Sequence, residues 1–293
     1  MARGLRHNGA FLRRLAYAGA RYGPRLWVEH SPRVFGAAFA LALRDKRGII
    51  LHNLRRVYGR RAFLAEQRDV LLTFTGYAAC LAESLGADRD EAAGARIHIE
   101  GEEHLRGALA AGQGLILVTA HVGPWDAAAR FLARDFSVDV MVLMESEADL
   151  EARELHDSIR ERTGVRVLHV GGDPLDALPV LRHLRAGGVV AFQLDRLSPS
   201  GRSLNVQLFG SRAEIPEGPF RLAALAGAPI VPIFAHRAGY FAYEFAVSDP
   251  IRLPRRATET ELEQAAHRAA FAMQGFIARH PTEWFHFPEL DET

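Results

Sequence analysis

The segment Gly-Leu-Ile-Leu-Val-Thr-Ala-His-Val-Gly-Pro-Trp-Asp, residues 114–126, sets His121 five residues ahead of Asp126. An imidazole oriented by a carboxylate is a general base. Such a base can activate a hydroxyl for attack on an acyl carbonyl. The bare spacing carries little weight, because His98/Glu103, His156/Glu161 and His286/Asp291 share it. Context separates them. His98 falls inside a short predicted strand. His156 and Glu161 sit on one predicted helix, where five positions put side chains on different faces. His286 lies in the tail near Pro288. Only His121 occupies a loop between a predicted buried strand and a predicted helix, the place where open α/β sheets keep their sites. Pro124 is favoured at a first helical position, which makes Gly123 the expected N-cap and Asp126 the third helical residue. An acid there is also favoured by the helix dipole whether or not it does chemistry.

A second group of polar residues follows later in the chain. Asp195-Arg196 closes the predicted strand Val189–Leu194, so Asp195 is expected to open toward the same face as His121. Pro-Glu-Gly-Pro-Phe-Arg, residues 216–221, leads into a helix whose first amides can hold a phosphate or an oxyanion. The candidate substrate-contacting residues are therefore Asp195, Arg196, Glu217, Gly218 and Arg221, with Trp125 beside the histidine. A surface ion pair and an ordinary turn would explain the same residues.

Positioning these groups calls for alternating strands and helices. From about residue 95, predicted strands at 96–100, 114–120, 138–144, 166–170, 189–194, 229–235 and 241–247 alternate with predicted helices at 103–111, 124–134, 148–163, 173–185 and 219–226. A closing helix covers 261–279. The pattern implies an α/β fold with a largely parallel central sheet flanked by helices. Residues 1–85 show helical apolar spacing, as in Phe35, Phe39 and Leu43, with Pro24 and Pro32 as expected breaks. The expected organisation is a helical, basic, membrane-contacting region over 1–90 and an α/β domain over 91–293.

Composition narrows the class. A chain of 293 residues, 48% hydrophobic and 24% charged, has the makeup of a globular protein with a sizeable core. A net charge of +1 gives no global reason to expect nucleic acid as a partner. Cys80 is the only cysteine, which excludes an internal disulfide and a cysteine-built metal site. No metal is expected. The Gly-x-Ser-x-Gly, P-loop, His-Glu-x-x-His and strand-linked Gly-x-Gly-x-x-Gly patterns are absent. Local charge is more telling. Arg3, Arg6, Arg13, Arg14, Arg21 and Arg25 fall among apolar and aromatic residues with no acid before Val28. Such a segment suits an anionic membrane surface. The arginines interrupt every apolar run, unlike a secretory signal. The run Val34–Leu43 is ten residues, too short to span a bilayer.

The chain resembles the bacterial lipid A biosynthesis acyltransferases of the lauroyl/myristoyl type, together with their relatives that acylate phosphatidylinositol mannosides. The resemblance runs from about Leu51 to Phe287. It rests on Asn-Leu-Arg-Arg-Val-Tyr-Gly at 53–59, Ile-Glu-Gly-Glu-Glu-His-Leu at 99–105 and the block 112–126. It continues through Asp195-Arg196, Leu-Phe-Gly at 208–210, Pro-Glu-Gly-Pro at 216–219, Gly-Ala-Pro-Ile-Val-Pro at 227–232 and His-Pro-Thr-Glu-Trp-Phe at 280–285. Asp126 stands where many members carry Glu, and Pro124 where Asn is frequent; the mannoside-acylating relatives tolerate both.

The resemblance implies acyl transfer from an acyl thioester, acyl carrier protein or coenzyme A, to a hydroxyl of a membrane glycolipid such as a lipid A precursor. His121 would be the general base and Asp126 its orienting acid. Amides near Gly123 and Gly218, or Arg196 or Arg221, would stabilise the oxyanion. No bound cofactor is implied. The implied partners are the lipid acceptor, acyl carrier protein and an anionic membrane surface, with peripheral attachment at the cytoplasmic face of the bacterial inner membrane. Lysophospholipid or glycerolipid acylation, or a non-catalytic membrane-binding relative, are the alternatives.

Overall fold

The structure is a computed structural model that describes residues 15–145, 150–170, 174–197 and 201–287. Residues 1–14, with four of the N-terminal arginines, and Asp291 lie outside the described residues. The strands are β1 (Arg96–Glu100), β2 (Leu115–Thr119), β3 (Val140–Glu145), β4 (Val165–Val170), β5 (Val189–Gln193), β6 (Ser203–Leu208), β7 (Ser211–Pro216), β8 (Ile230–Gly239) and β9 (Ala242–Val247). Seven of them form one sheet in the order β1-β9-β8-β2-β5-β3-β4. Every neighbouring pair is parallel except β8 and β9. The fold is thus α/β with a mostly parallel central sheet.

β2 shows why. All five of its residues are buried. Ile116 and Val118 enter one apolar cluster, Leu115 and Leu117 the other, as the two-residue period of a strand requires. A strand covered on both faces needs a continuous apolar run rather than an alternating one.

The main helices are α1 (Arg25–Ala42), α2 (Arg44–Tyr58), α3 (Phe63–Leu85), α4 (Asp90–Ala93), α5 (Glu102–Ala110), α6 (Trp125–Asp135), α7 (Leu150–Arg162), α8 (Ala177–Arg185), α9 (Gly218–Ala226) and α10 (Glu259–Arg279). On one face of the sheet α6 buries Ala127, Ala128, Phe131 and Leu132. On the other, α10 buries Leu262, Ala266, Ala269 and Met273. A reciprocal capping box, Thr258 with Glu261, starts α10 two residues earlier than its apolar spacing predicts.

The helical region departs from expectation at Pro32. Pro24 does end a helix and caps α1, but α1 continues through Pro32, which is buried. Packing compensates for the lost backbone hydrogen bond. At Gly36 a Cβ would come within 2.6 Å of Thr75 Cα, so glycine is what lets α1 approach α3 this closely. A second departure is the antiparallel hairpin β6–β7. Leu204, Val206 and Leu208 point inward from β6, and the turn places Phe209 and Gly210 at φ 50° and 76°. Two successive positive φ values make the tight turn that matches strand twist. No helix among the described residues is long and apolar enough to cross a membrane.

Candidate active site

The site begins with strand register. β2 and β5 are parallel neighbours, with Thr119 opposite Gln193. Two residues further along each strand come His121 and Asp195. His121 Nδ1 lies 2.9 Å from Asp195 Oδ1. The His121 backbone N–H donates to both carboxylate oxygens at 3.1 Å, and the Trp284 indole N–H donates to Oδ2 at 3.1 Å. His286 Nδ1 stands 3.6 Å from the same oxygen. Burial opposes the charge on Asp195, but His121 and His286 outweigh it and hold the carboxyl well below its ordinary range. An ionised Asp195 accepts, so Nδ1 of His121 carries the proton and Nε2 is left as the basic nitrogen.

The expected His121–Asp126 dyad is therefore corrected: the carboxylate on the imidazole is Asp195. Asp126 is engaged elsewhere. It accepts from Ser84 Oγ at 2.8 Å, from Arg160 Nε at 3.2 Å and from Arg130 Nη1. Burial again opposes ionisation, and the two guanidinium groups override it, so Asp126 too stays ionised far below its ordinary value.

Local backbone geometry explains why Asp126 faces away. Gly123 is not the N-cap; Pro124 is, and Asp126 becomes the second residue of α6. Gly123 has φ 54°, and a Cβ there would sit 2.2 Å from the Ala235 carbonyl oxygen. Its N–H donates to Glu283 O at 2.9 Å, so that amide is not free for an oxyanion. The Phe285 N–H donates in turn to His121 O at 2.7 Å. The segment 283–285 thus straps the His121 loop on both sides of Val122.

Trp125 sets its ring edge-on to His121, 5.7 Å between centroids, and the Arg160 guanidinium lies over its face at 5.9 Å. A cavity of about 280 Å³ opens against Gly123 and Trp125, walled by Tyr77, Leu81 and Phe285 and floored by Asp126 and Arg160. A smaller apolar pocket on the other side of Trp125 is lined by Leu117, Ala128, Val142 and Ile233.

The remaining predicted residues divide. Arg196 follows Asp195 and reaches Phe285 O at 3.4 Å. Glu217, Gly218 and Arg221 form a different group at the start of α9. Arg221 Nε donates to Glu217 at 2.8 Å and its Nη2 to Glu259 at 2.6 Å, while Arg202 stands 3.6 Å from Glu217. Among the described residues, no hydrogen bond or ion pair connects Glu217 or Arg221 to His121. Residue spacing gave no warning of Ser84 or Arg160, and none of the contacts that Trp284 and His286 make with Asp195; Arg130 had a local signal, four residues after Asp126 on one helix face. Cys80 is buried, which pushes its thiol up. Among the described residues no three His, Cys, Asp or Glu side chains converge with metal-binding geometry.

Comparison with known proteins identifies the family. The family model described as bacterial lipid A biosynthesis acyltransferase matches residues 2–290. The phosphatidylinositol mannoside acyltransferase of Mycobacterium tuberculosis (strain CDC 1551 / Oshkosh) is 30% identical over 188 residues, 64% of this chain and 57% of that protein. The protein of the same description from Mycolicibacterium smegmatis is 28% identical over 205 residues, 68% of this chain and 66% of that protein. The matched stretch thus spans somewhat under two thirds of each relative. With a match over nearly its whole length, the chain belongs to the bacterial lipid A biosynthesis acyltransferase family.

Proposed function

We propose that this protein transfers a fatty acyl chain from an acyl thioester to a hydroxyl of a membrane glycolipid, with His121 as general base. The observation that carries the proposal is the buried Asp195–His121 pair at the carboxyl end of β2, in a chain of this family. His121 Nε2 takes the proton of the acceptor hydroxyl as its oxygen attacks the thioester carbonyl. Asp195 holds Nδ1–H and stabilises the imidazolium, as in a triad. The proton then passes to the departing thiolate. Asp126 acts at one remove, anchoring the first turn of α6 between Arg130 and Arg160 and so setting Trp125 beside the imidazole. The cavity of about 280 Å³ beside Trp125, along its wall of Tyr77, Leu81 and Phe285, would take the start of the acyl chain. Acyl carrier protein or coenzyme A would carry the donor thioester, and Arg196, exposed beside Asp195, is the candidate contact for either. For the acceptor, the mannoside acyltransferases among the relatives favour an inositol mannoside over a lipid A precursor.

The protein would work as a peripheral enzyme on the cytoplasmic face of the inner membrane. α1 supports this reading. Its small residues Gly36 and Ala40 face α3, while Trp27, Val34, Phe35 and Phe39 are about half exposed or more. Exposed aromatics flanked by Arg25 and Arg33 suit an interface of acyl chains and anionic head groups.

Lipid mass spectrometry of cells carrying the wild-type protein, His121→Ala or no protein tests the proposal. A glycolipid one acyl chain lighter in both the variant and the null strain is expected, and its mass identifies acceptor and chain length. Accumulated lysophospholipid would move the acceptor to the glycerolipids. A variant lipid profile matching wild type while the null strain differs would remove His121 from the chemistry and leave a binding role.

A further inference from the structure

Asp195 is held from two directions. β2 supplies His121, through both its ring and its backbone N–H. The strap 283–287 supplies the Trp284 indole N–H to Oδ2, the oxygen that does not hold the imidazole proton. Trp284 is 5% exposed and packed on both sides: its ring tilts against Phe209 of the hairpin turn at 5.7 Å and against His286 at 5.3 Å. Its backbone bridges Val122. The strap is also tied to the N-terminal helices. Asn53 Nδ2 of α2 donates to His286 O at 2.8 Å, and Tyr77 of α3 meets Phe285 and Phe287 edge-on at 5.3 Å and 5.1 Å.

We infer that Trp284 is a positioning residue that acts through Asp195: its indole N–H fixes the rotation of the carboxylate so that Oδ1 stays on His121 Nδ1. The inference rests on the proposed role of His121 as base. The physical reason is the geometry of a carboxylate. Two oxygens related by rotation about one bond can trade partners unless each has its own donor. Trp284 is a donor only, on a rigid ring wedged between two others, so it can serve Oδ2 in one orientation alone. With that N–H in place, the imidazole is kept as the Nδ1–H tautomer with Nε2 available to the acceptor hydroxyl. The N–H also shares the negative charge that Asp195 presents to the imidazolium. The charged or titratable groups around the carboxylate are His121 from β2, His286 from the strap and the adjacent Arg196.

The test is Trp284→Phe in the full chain, beside His121→Ala, assayed for acyl transfer from acyl coenzyme A across pH. Phenylalanine keeps most of the ring and removes the donor. Without that donor the carboxylate can turn off Nδ1, and the misoriented imidazole lowers kcat roughly 10- to 100-fold. The KM for the donor should stay within about twofold of wild type, since the bond makes no contact with substrate. The acid limb of the kcat/KM profile should move to higher pH, because the unshared carboxylate charge favours the imidazolium. Thermal unfolding of both proteins reports any loss of fold. An inactive His121→Ala with an unchanged kcat and acid limb in Trp284→Phe would overturn the positioning role. So would a fall in kcat that tracks lost stability with the acid limb in place, since packing alone would do that. An active His121→Ala would instead remove the base itself, and the inference with it.

Discussion

Replacing Asp195 by asparagine separates the roles of the two carboxylates near the His121 loop. The imidazole and carboxylate approach to 2.9 Å, with the Asp195 side chain 1% exposed. Charge centres for such a contact lie about 4 Å apart, worth ~4 kcal/mol at an effective dielectric constant of about 20. That interaction is fully present only when the imidazole becomes cationic, at the transition state. Its loss corresponds to about a 10³-fold fall in kcat, at 1.36 kcal/mol per decade. KM should change little. Asp126→Asn should behave differently. It leaves Arg130 and Arg160 buried beside a neutral amide, and breaking a buried pair costs about 3–5 kcal/mol of stability. Folded Asp126→Asn enzyme should retain a larger share of its turnover than Asp195→Asn. The assay is transfer of a labelled acyl chain from acyl coenzyme A to mannoside acceptor in mixed micelles, with the folded fraction measured by circular dichroism. If Asp195→Asn keeps kcat within tenfold while stable, folded Asp126→Asn loses all turnover, the orienting acid is Asp126 and the geometry has been misjudged.

Two further outcomes follow from the surface and from the strap. Phe35→Ser with Phe39→Ser removes apolar groups that are 49% and 53% exposed and should leave the unfolding temperature nearly unchanged while weakening sedimentation with vesicles rich in anionic lipid. Equal binding by the double variant would move the membrane face away from α1. The strap also carries a pH dependence. His236 Nδ1 lies 2.9 Å from Glu283 Oε1, and that contact holds the imidazole above its ordinary value near 6.5. A raised folded value gives stability that is complete below about pH 6.5 and is lost as pH rises through the folded value. Asp195 and Asp126 have depressed values, so their contributions are present above about pH 4 and disappear only at deeper acidity. His236 therefore contributes a decline in melting temperature from about pH 6.5 upward, opposed by the stacked His280, whose burial lowers its value, and Glu283→Gln should remove the His236 share. A parallel decline in both proteins would remove His236 as its source.

Local pattern determined much of this protein. The continuous apolar run of β2, the amphipathic spacing of α6 and α10, and the loop bearing His121 were all legible, because burial and backbone period leave a short-range imprint on residue order. The hairpin β6–β7 has a local signal too, in the alternation Leu204-Asn-Val-Gln-Leu208 and its Phe-Gly turn, but each strand is short and only half apolar. Pro32 could not be settled locally, since whether a helix tolerates proline depends on what packs across it, here α3. The partner of His121 was not local at all. Asp126 is five residues away and Asp195 seventy-four, yet Asp195 holds the ring. Strand order decides this: after β4 the chain returns past β3 to lay β5 against β2, and register then sets the two side chains two residues beyond Thr119 and Gln193. Asp126, turned by the positive φ of Gly123 and drawn by Arg160 from another helix, faces away. Sequence by itself determined which residues could do chemistry and which elements would carry them. Tertiary structure alone decided which carboxylate serves the imidazole, because that choice is made by chain segments meeting across the sheet and not by spacing along the chain.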